Sequence, residues 1–342
     1  MSRGRRDPIQ ARTDGSDDLY GVTDWEVRSR LDRFAHWLYY SLLSLVRGFV
    51  VLAAVAILLA QFALGSLGAI QDRPLIVGMT VLSAVPALGL AAYVWYTDVT
   101  TQEPLELLVA SFLLGVLFAG FAGLLNPVFG GPVRAIGSAF YLAPAAGMVF
   151  FYYLVVGPVE ETVKLLAVRL YAYRDDRFDA VIDGAVYGAM AGLGFATIEN
   201  AVYITQNVDT ATVATSLGLV QQSADITTVR ALAGPGHVIY SGIAGYYLGL
   251  AKFNPEDAGP IVVKGIVVAA LIHGTYNTLA PVGSGVIALL YGVDPLTGFF
   301  LFVVVFDGLF GLFLLRKLNR YQKVYRRVHE TDDPTAAPTE FE

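Results

Sequence analysis

Residues 183–205 read DGAVYGAMAGLGFATIENAVYIT, an apolar stretch of membrane-spanning length that is interrupted near its end by Glu199 and Asn200. A helix needs roughly 20 residues to cross the hydrocarbon core of a bilayer. A charged side chain at that depth is costly, so by default it is functional and faces the interior of a helix bundle. The stretch therefore predicts a transmembrane helix that carries a buried acid.

The rest of the chain has the same character. Of its 342 residues 55% are hydrophobic and only 15% are charged, which is unusual for a soluble domain. Further apolar runs of spanning length occupy 48–70, 75–96, 105–125, 138–171, 232–251, 260–281 and 296–316. A shorter run, 285–293, is interpreted as a loop, a re-entrant piece or a helix extension. The sequence thus predicts an all-α polytopic membrane bundle of about eight transmembrane helices.

Charge predicts the orientation and the division of the chain. Both ends are rich in Lys and Arg, which are retained on the cytosolic side, so the N-terminus and C-terminus are expected in the cytosol of a multi-pass cell-membrane protein. The expected division is a polar tail over 1–47, a transmembrane domain over 48–316 with its motifs in 138–281, and a polar tail over 317–342. No cleaved signal peptide is expected. The polar segment 205–228 is expected to be an outer loop.

Composition also limits the partners and the chemistry. The net charge of −6 comes from solvated ends, so the lipid bilayer is an expected partner and nucleic acid is not. The chain has no cysteine, which excludes disulfides, thiolate metal sites and cysteine catalysis. Any metal must therefore be held by nitrogen and oxygen atoms. The oligomeric state does not follow from the sequence.

Two runs carry small residues at four-residue spacing. They are Gly184, Gly188 and Gly192 in the first, and Gly245 and Gly249 in the second. Such spacing lets the backbones of two membrane helices approach closely. We expect the helices over 183–205 and 232–251 to pack directly against each other.

A pair of acids interrupts the run 138–171. Glu160 and Lys164 are spaced for an i, i+4 ion pair, and the adjacent Glu161 leaves one acid unpaired. The pair follows Gly157-Pro158, where a helix can break and expose backbone groups. Taken alone, the pattern fits a structural ion pair at a helix end. The unpaired acid also fits a general base.

Two histidines lie within later runs, His237 and His273. A lone buried histidine is usually a hydrogen-bonded core residue, but two imidazoles with the carboxylate of Glu199 match a hydrolytic Zn²⁺ site with an open fourth position. Residues 234–236, Gly-Pro-Gly, favour a helix that starts at Pro235, whose N-terminus would keep His237 neutral. These residues predict a divalent metal site, with zinc the expected metal.

Other polar residues accompany this set. Asn277 shares a helical face with His273 and is a candidate oxyanion donor, and Ser241 shares a face with His237 and is a candidate orienting group. Asn200 either binds a substrate backbone or links helices. The remaining intramembrane polar groups are interpreted as packing pairs or interface anchors: Asp183, Arg230, Lys264 and Asp307.

Depth supports a common site. From the predicted helix ends, Glu160, Glu199, His237 and His273 all lie about 20 to 24 Å from the cytosolic side. Four helices therefore deliver their polar residues to one level. Polar residues that were present on separate helices only for packing would not be expected to lie at the same depth.

The order of these motifs resembles the PrsW family of intramembrane metalloproteases. The motifs are Glu160-Glu161-x-x-Lys164, Phe195-x-x-x-Glu199-Asn200, His237, and His273-x-x-x-Asn277. The family is related to the CAAX prenyl endopeptidases, which carry His where this chain has Glu199, so a prenylated substrate is not implied. The resemblance implies that Glu160 is the first choice and Glu161 the second for the residue that activates water, and that Lys164 orients the two acids. The family cleaves a membrane-embedded regulator, but the target of this chain does not follow from the resemblance.

We therefore expect a membrane-embedded endopeptidase acting on a membrane-associated protein, with a metal held by Glu199, His237 and His273. No His-Glu-x-x-His motif of soluble zinc proteases is present. Two alternatives stay open at this point. A proton- or ion-coupled transporter also places Glu and His at membrane depth, and a non-catalytic scaffold would bind membrane proteins without a metal.

Overall fold

A computed structural model describes residues 7–10, 12–13, 15–41, 74–100, 103–139, 144–207 and 216–330. The fold is all-α, as predicted. The first helix, α1, covers 30–41. The others are α2 (Pro74–Tyr96), α3 (Leu105–Ala139), α4 (Pro144–Phe151), α5 (Gly157–Leu170), α6 (Val181–Asn207), α7 (Ser216–Phe253), α8 (Ala258–Tyr291) and α9 (Pro295–Glu330). The predicted helix over 48–70 lies outside the described residues.

Within the described part of the chain, five helices are long and apolar enough to cross a membrane: α2, α3, α6, α8 and α9. Their positions agree with five of the predicted runs. The number of eight spans and the cytosolic location of both ends stay predictions. α9 continues the run 296–316 through 317–330, and the short run 285–293 is an extension of α8 up to Tyr291.

Two predictions about α7 are wrong. Residues 216–228, expected in an outer loop, form its first turns, and the helix passes through Pro235 rather than starting there. Proline removes one backbone hydrogen bond, here to the carbonyl of Ala231, but membrane helices tolerate this where neighbouring helices are packed closely. No helix therefore begins at Pro235, so a helix N-terminus does not act on His237 as predicted.

The expected break at Gly157-Pro158 is also not observed. A π turn over Tyr152–Val156 connects α4 to α5, and Gly157 keeps helical dihedral angles. The wider turn accommodates the missing N–H of Pro158 without ending the helix. Single π turns of this kind occur frequently at functional sites. Here the turn immediately precedes Glu160 and Glu161.

The close packing of α6 and α7 is confirmed. A Cβ atom added to Gly184 would lie 2.2 Å from the carbonyl oxygen of Gly245, and one added to Gly188 would lie 2.3 Å from that of Ser241. One added to Gly192 would lie 2.4 Å from the carbonyl oxygen of His237. Because backbone cannot move aside easily, only glycine allows this spacing. The glycine stripe therefore holds α7, and His237 with it, against α6.

The helices on either side of α6 and α7 approach just as closely. A Cβ atom on Gly194 would lie 2.0 Å from the carbonyl oxygen of Phe112, which places α3 against α6. A Cβ atom on Gly157 would lie 2.6 Å from the carbonyl oxygen of Ala270, which places α5 against α8. Together with the packing of α6 on α7, these contacts place five helices, α3, α5, α6, α7 and α8, around one interior.

Part of the predicted N-terminal tail packs on the bundle. Asp7 accepts hydrogen bonds from the backbone N–H of Val181 (3.0 Å) and from the hydroxyl of Tyr321 (2.8 Å). Asp32 of α1 forms an ion pair with Lys264 of α8, which confirms the interpretation of Lys264 as a packing partner. Burial raises the pKa of Asp7 to about 6 against its hydrogen bonds. This segment thus ties the beginning of α6 to α9.

Candidate active site

Four helices bring the predicted polar residues together in the interior. α5 supplies Glu160, Glu161 and Lys164, α6 supplies Glu199, α7 supplies His237 and α8 supplies His273. Glu161 and Lys164 are completely buried, and the side chain of Glu199 is 22% exposed. The rings of His237 and His273 lie 5.2 Å apart between centroids. The expected convergence of four helices is therefore present.

Lys164 binds the second glutamate more closely than the first. Its Nζ lies 2.7 Å from Oε1 of Glu161 and 3.7 Å from Oε2 of Glu160, whereas the i, i+4 spacing predicted the pair with Glu160. The ammonium also lies 4.2 Å from the ring centroid of Phe195. Helical spacing allows both partners, and the surroundings decide between them, because Glu161 is also held by groups on α7 and α8.

Those groups are Ser241 and His273. The Nδ1–H of His273 donates to Oε1 of Glu161 at 2.9 Å, and the hydroxyl of Ser241 donates to Oε2 at 3.4 Å. Both oxygens of Glu161 are therefore occupied. A carboxylate that accepts from one ring nitrogen fixes the tautomer of a histidine and leaves the lone pair of the other nitrogen free, as is usual in metal-binding histidines.

His237 lies between a cation and an acid. Its Nδ1 is 2.9 Å from Nζ of Lys164, and its Nε2 is 2.9 Å from Oε2 of Glu199. Since an ammonium only donates, Nδ1 accepts and Nε2–H donates to Glu199. These two neighbours, rather than a helix N-terminus, set the tautomer of His237.

Glu199 is anchored by Arg230 of α7. The guanidinium Nη2 lies 2.5 Å from Oε2 of Glu199, and Nε donates to Oδ1 of Asn200 at 2.8 Å. The amide of Asn200 donates in turn to the hydroxyl of Ser83 on α2 at 3.0 Å. Of the two expected roles of Asn200, this arrangement matches the linking of helices.

Glu160 has one carboxylate oxygen that accepts no hydrogen bond from the described residues. Its Oε1 accepts from Nδ2 of Asn126 at 3.1 Å, while its buried Oε2 has no hydrogen-bond partner among the described residues. That oxygen lies 3.8 Å from Nε2 of His273. Glu160, His237 and His273 each offer one ligand atom, and these atoms lie within 4.8 Å of one another. An unsatisfied buried oxygen and two imidazole nitrogens fit the donor set of a divalent metal such as zinc.

Asn126 and Arg230 are the site residues that sequence reasoning missed. Asn126 lies one residue beyond the predicted run 105–125, and Arg230 was interpreted as a packing pair or anchor. Arg230 precedes His237 by seven residues, two helical turns, which is a signal for a shared face once α7 is known to continue through Pro235. Asn277 is half-buried, and its side chain makes no hydrogen bond within the described part of the protein.

Acids, imidazoles and one buried ammonium lie inside a helix bundle, five helices of which are long and apolar enough to cross a membrane, and their nitrogen and oxygen atoms could hold a metal ion. This combination is typical of a membrane-embedded hydrolase. The family model described as "PrsW family intramembrane metalloprotease" matches residues 103–309. The chain belongs to this family. It is thus a membrane-embedded protease, which supersedes the transporter and scaffold alternatives.

Curated relatives agree with the family model. The chain is 28% identical over 251 residues to Protease PrsW of Shouchella clausii, an alignment that covers 72% of this chain and 99% of the relative. It is 31% identical over 195 residues to Protease PrsW of Bacillus subtilis, covering 56% of this chain and 78% of the relative. No solved structure matches.

Proposed function

We propose that the protein is a zinc-dependent endopeptidase that hydrolyses a peptide bond of a membrane-associated protein, and that it spans the cell membrane several times. Oε2 of Glu160, which accepts no hydrogen bond from the described residues and lies 3.7 Å from Nζ of Lys164 and 3.8 Å from Nε2 of His273, carries this proposal. A buried carboxylate oxygen without a partner is costly, so such an atom calls for a ligand. The residues proposed to hold the metal are Glu160, His237 and His273.

Zinc is the proposed metal because the donors are imidazole and carboxylate and because the chain has no thiols. When bound, zinc lowers the pKa of water to near neutrality and polarises a carbonyl group. His237 would release one of its two present contacts, with Lys164 or with Glu199, to offer a lone pair. His273 already has Nε2 available, because Glu161 accepts the hydrogen on Nδ1.

The roles of the two acids on α5 differ in this proposal. Glu161 orients, because it receives hydrogen bonds from Lys164 and His273 at one oxygen and from Ser241 at the other. Lys164 offsets the buried charge of Glu161 and holds it in place. Glu160 is the acid that binds the ion. The sequence had favoured Glu160 as the base and Glu199 as the ligand, and we propose the opposite assignment.

Glu199 is proposed to take the proton of the attacking water. Its Oε2 is held by Arg230 and His237, which leaves Oε1 for water, and the side chain is partly exposed. Arg230 thus fixes the position of the carboxylate. Asn277, one turn after His273, has a free amide that is proposed to donate to the oxyanion of the scissile carbonyl.

The test uses the full-length protein in liposomes, with zinc content measured by mass spectrometry and cleavage measured on a fluorescently labelled unfolded membrane polypeptide. Glu160→Gln and His273→Ala are expected to lose both zinc and cleavage. Glu199→Gln is expected to keep zinc and to lose cleavage by about 100-fold or more. Asp294→Asn, which changes an exposed acid in the loop before α9, is the control and should keep both.

The outcomes separate the roles. If Glu199→Gln loses zinc while Glu160→Gln keeps it, the assignment of the two acids is wrong although the enzyme still requires the metal. If wild-type protein cleaves after complete removal of zinc, the metal centre itself is refuted.

A further inference from the structure

A second group of buried acids lies far from the active site. Asp98 and Glu103 belong to the connection between α2 and α3, and Asp183 lies in the first turn of α6. We name these three residues the loop cluster. Asp183 precedes Glu199 by 16 residues on the same helix, so the two sites are about 24 Å apart along α6.

Each acid of the loop cluster is held by one of its two oxygens. Oδ1 of Asp98 accepts from the backbone N–H and the hydroxyl of Thr100, at 2.9 and 2.7 Å. Oδ2 of Asp183 accepts from the backbone N–H groups of residues 179 and 180, at 2.7 and 2.8 Å. Oε2 of Glu103 accepts from the hydroxyl of Tyr187. The carboxylates are therefore fixed in position before any ligand binds.

The second oxygen of each acid is unsatisfied. Oδ2 of Asp98, Oε1 of Glu103 and Oδ1 of Asp183 are buried and have no hydrogen-bond partner in the described part of the chain. Asp183 is completely buried and Glu103 is 3% exposed. One oxygen from each of the three residues lies within 4.8 Å of the other two. Three carboxylates this close together, each with an unsatisfied oxygen, point to a shared partner that is a cation or a proton.

No basic side chain of the described residues forms an ion pair with the loop cluster. The nearby charges that act on it are other acids, including Asp179. Burial raises the pKa of Asp98 and of Glu103. The described residues therefore supply no ion-paired positive charge to these carboxylates.

We propose that the loop cluster binds a hard divalent cation, with calcium the best match. All candidate ligand atoms are carboxylate oxygens, which calcium and magnesium prefer. Calcium takes several protein carboxylates at once, whereas magnesium is usually held by one or two carboxylates and keeps several waters. A bound ion would tie the α2–α3 connection to the beginning of α6. This site is separate from the proposed zinc centre and does not depend on it.

The experiment uses the full-length protein in detergent after treatment with EDTA. Thermal unfolding is followed during titration with CaCl₂ and, separately, MgCl₂, and bound calcium is measured by equilibrium dialysis. We expect a rise in Tm of about 5 °C at calcium concentrations about 100-fold above Kd. Asp183→Asn and Glu103→Gln keep the hydrogen-bond acceptors of the wild type and should abolish this rise. Asp294→Asn should leave it unchanged.

Two further arms complete the test. His273→Ala alters only the proposed zinc centre and should keep the response to calcium. If wild type binds no calcium or magnesium and its Tm responds only to pH, the loop cluster shares a proton and the cation site is refuted. A calcium response that persists in both Asp183→Asn and Glu103→Gln would also overturn the proposal.

Discussion

The active site and the loop cluster each bury three acids, but only one of them contains its own positive charges. In the active site, Glu160, Glu161 and Glu199 face Lys164 and Arg230 within ion-pair distance. In the loop cluster, no described Lys or Arg is that close. A buried charge is tolerated only when it is paired or neutralised. The active site is therefore organised by charges of the chain itself, whereas the described residues leave the loop cluster without a basic partner, which is why we propose a cation there.

The largest expected effect comes from removing a cation of the active site. Lys164→Met leaves Glu161 buried without its ammonium, and breaking such a pair costs about 3 to 5 kcal/mol of unfolding free energy. Cleavage should be lost, because Glu161 would no longer hold His273 in position. Chemical unfolding in detergent and the cleavage assay measure both effects.

The matched control is Lys323→Met, which removes an exposed lysine of α9. It should change stability by less than about 0.5 kcal/mol. Equal stability of the Lys164→Met variant and the wild type would contradict the view that the active site depends on internal charge balance.

An intermediate effect is expected for the glycines of α6 that pack against α7, namely Gly184, Gly188 and Gly192. They lie on the helix that connects the two sites. In Gly188→Ala the new Cβ would lie 2.3 Å from the backbone oxygen of Ser241, so α6 and α7 must move apart. Such overpacking costs about 1 to 3 kcal/mol. Cleavage should fall because His237 moves away from Glu199, while calcium binding at the other end of α6 should be largely kept.

Gly89→Ala in α2 is the control, since a Cβ atom there has no neighbour within 4 Å. It should be neutral or slightly stabilising. If Gly188→Ala has wild-type stability and cleavage, the packing of α6 on α7 does not set the geometry of the site.

The smallest expected effect is the pH dependence of the loop cluster without a metal ion. Burial raises the pKa of Glu103 from 4.5 to about 7, so the folded state binds more protons than the unfolded state between these values. Stability from this group is complete below pH 4.5 and is lost as the pH rises through about 7. In EDTA, unfolding free energy should therefore decrease from pH 5 to pH 8.

The groups that face Glu103 are Asp98, Asp183, Asp179 and the hydroxyl of Tyr187. Glu103→Gln cannot titrate and should flatten this dependence while raising stability at pH 8. Saturating calcium should flatten it as well, because the ion replaces the proton. A stability that rises with pH in the metal-free wild type would contradict the uncompensated burial of these acids.

Much of the fold was predictable because membrane helices must satisfy their backbone internally, so apolar length alone locates them. Five predicted runs correspond to helices that are long and apolar enough to span a membrane, and the close approach of α6 and α7 followed from glycine spacing. Helix breaks were predicted less well. Pro158 and Pro235 indicate breaks in isolation, but the π turn and the close packing of neighbouring helices accommodate them.

The chemical character of the active site also followed from the sequence, whereas its contacts did not. Residue type and depth predicted that Glu160, Glu161, Glu199, His237 and His273 would come together, as they do, whereas their roles stay predictions. The partners of these residues depend on helix rotation, which periodicity does not determine to within a hydrogen-bond length. Arg230 and Asn126 were missed for this reason, and the closer pairing of Lys164 with Glu161 could not be foreseen.

By itself the sequence determined that this is a helical membrane protein of the PrsW type whose buried acids and imidazoles lie at one depth, because charge inside a bilayer is too costly to occur without a use. Only the tertiary structure decided which oxygens are free. Oε2 of Glu160 and the three open oxygens of the loop cluster are distinguished by the absence of a hydrogen bond from any described residue. That absence depends on neighbours far away in the chain, so it exists only after the helices have packed.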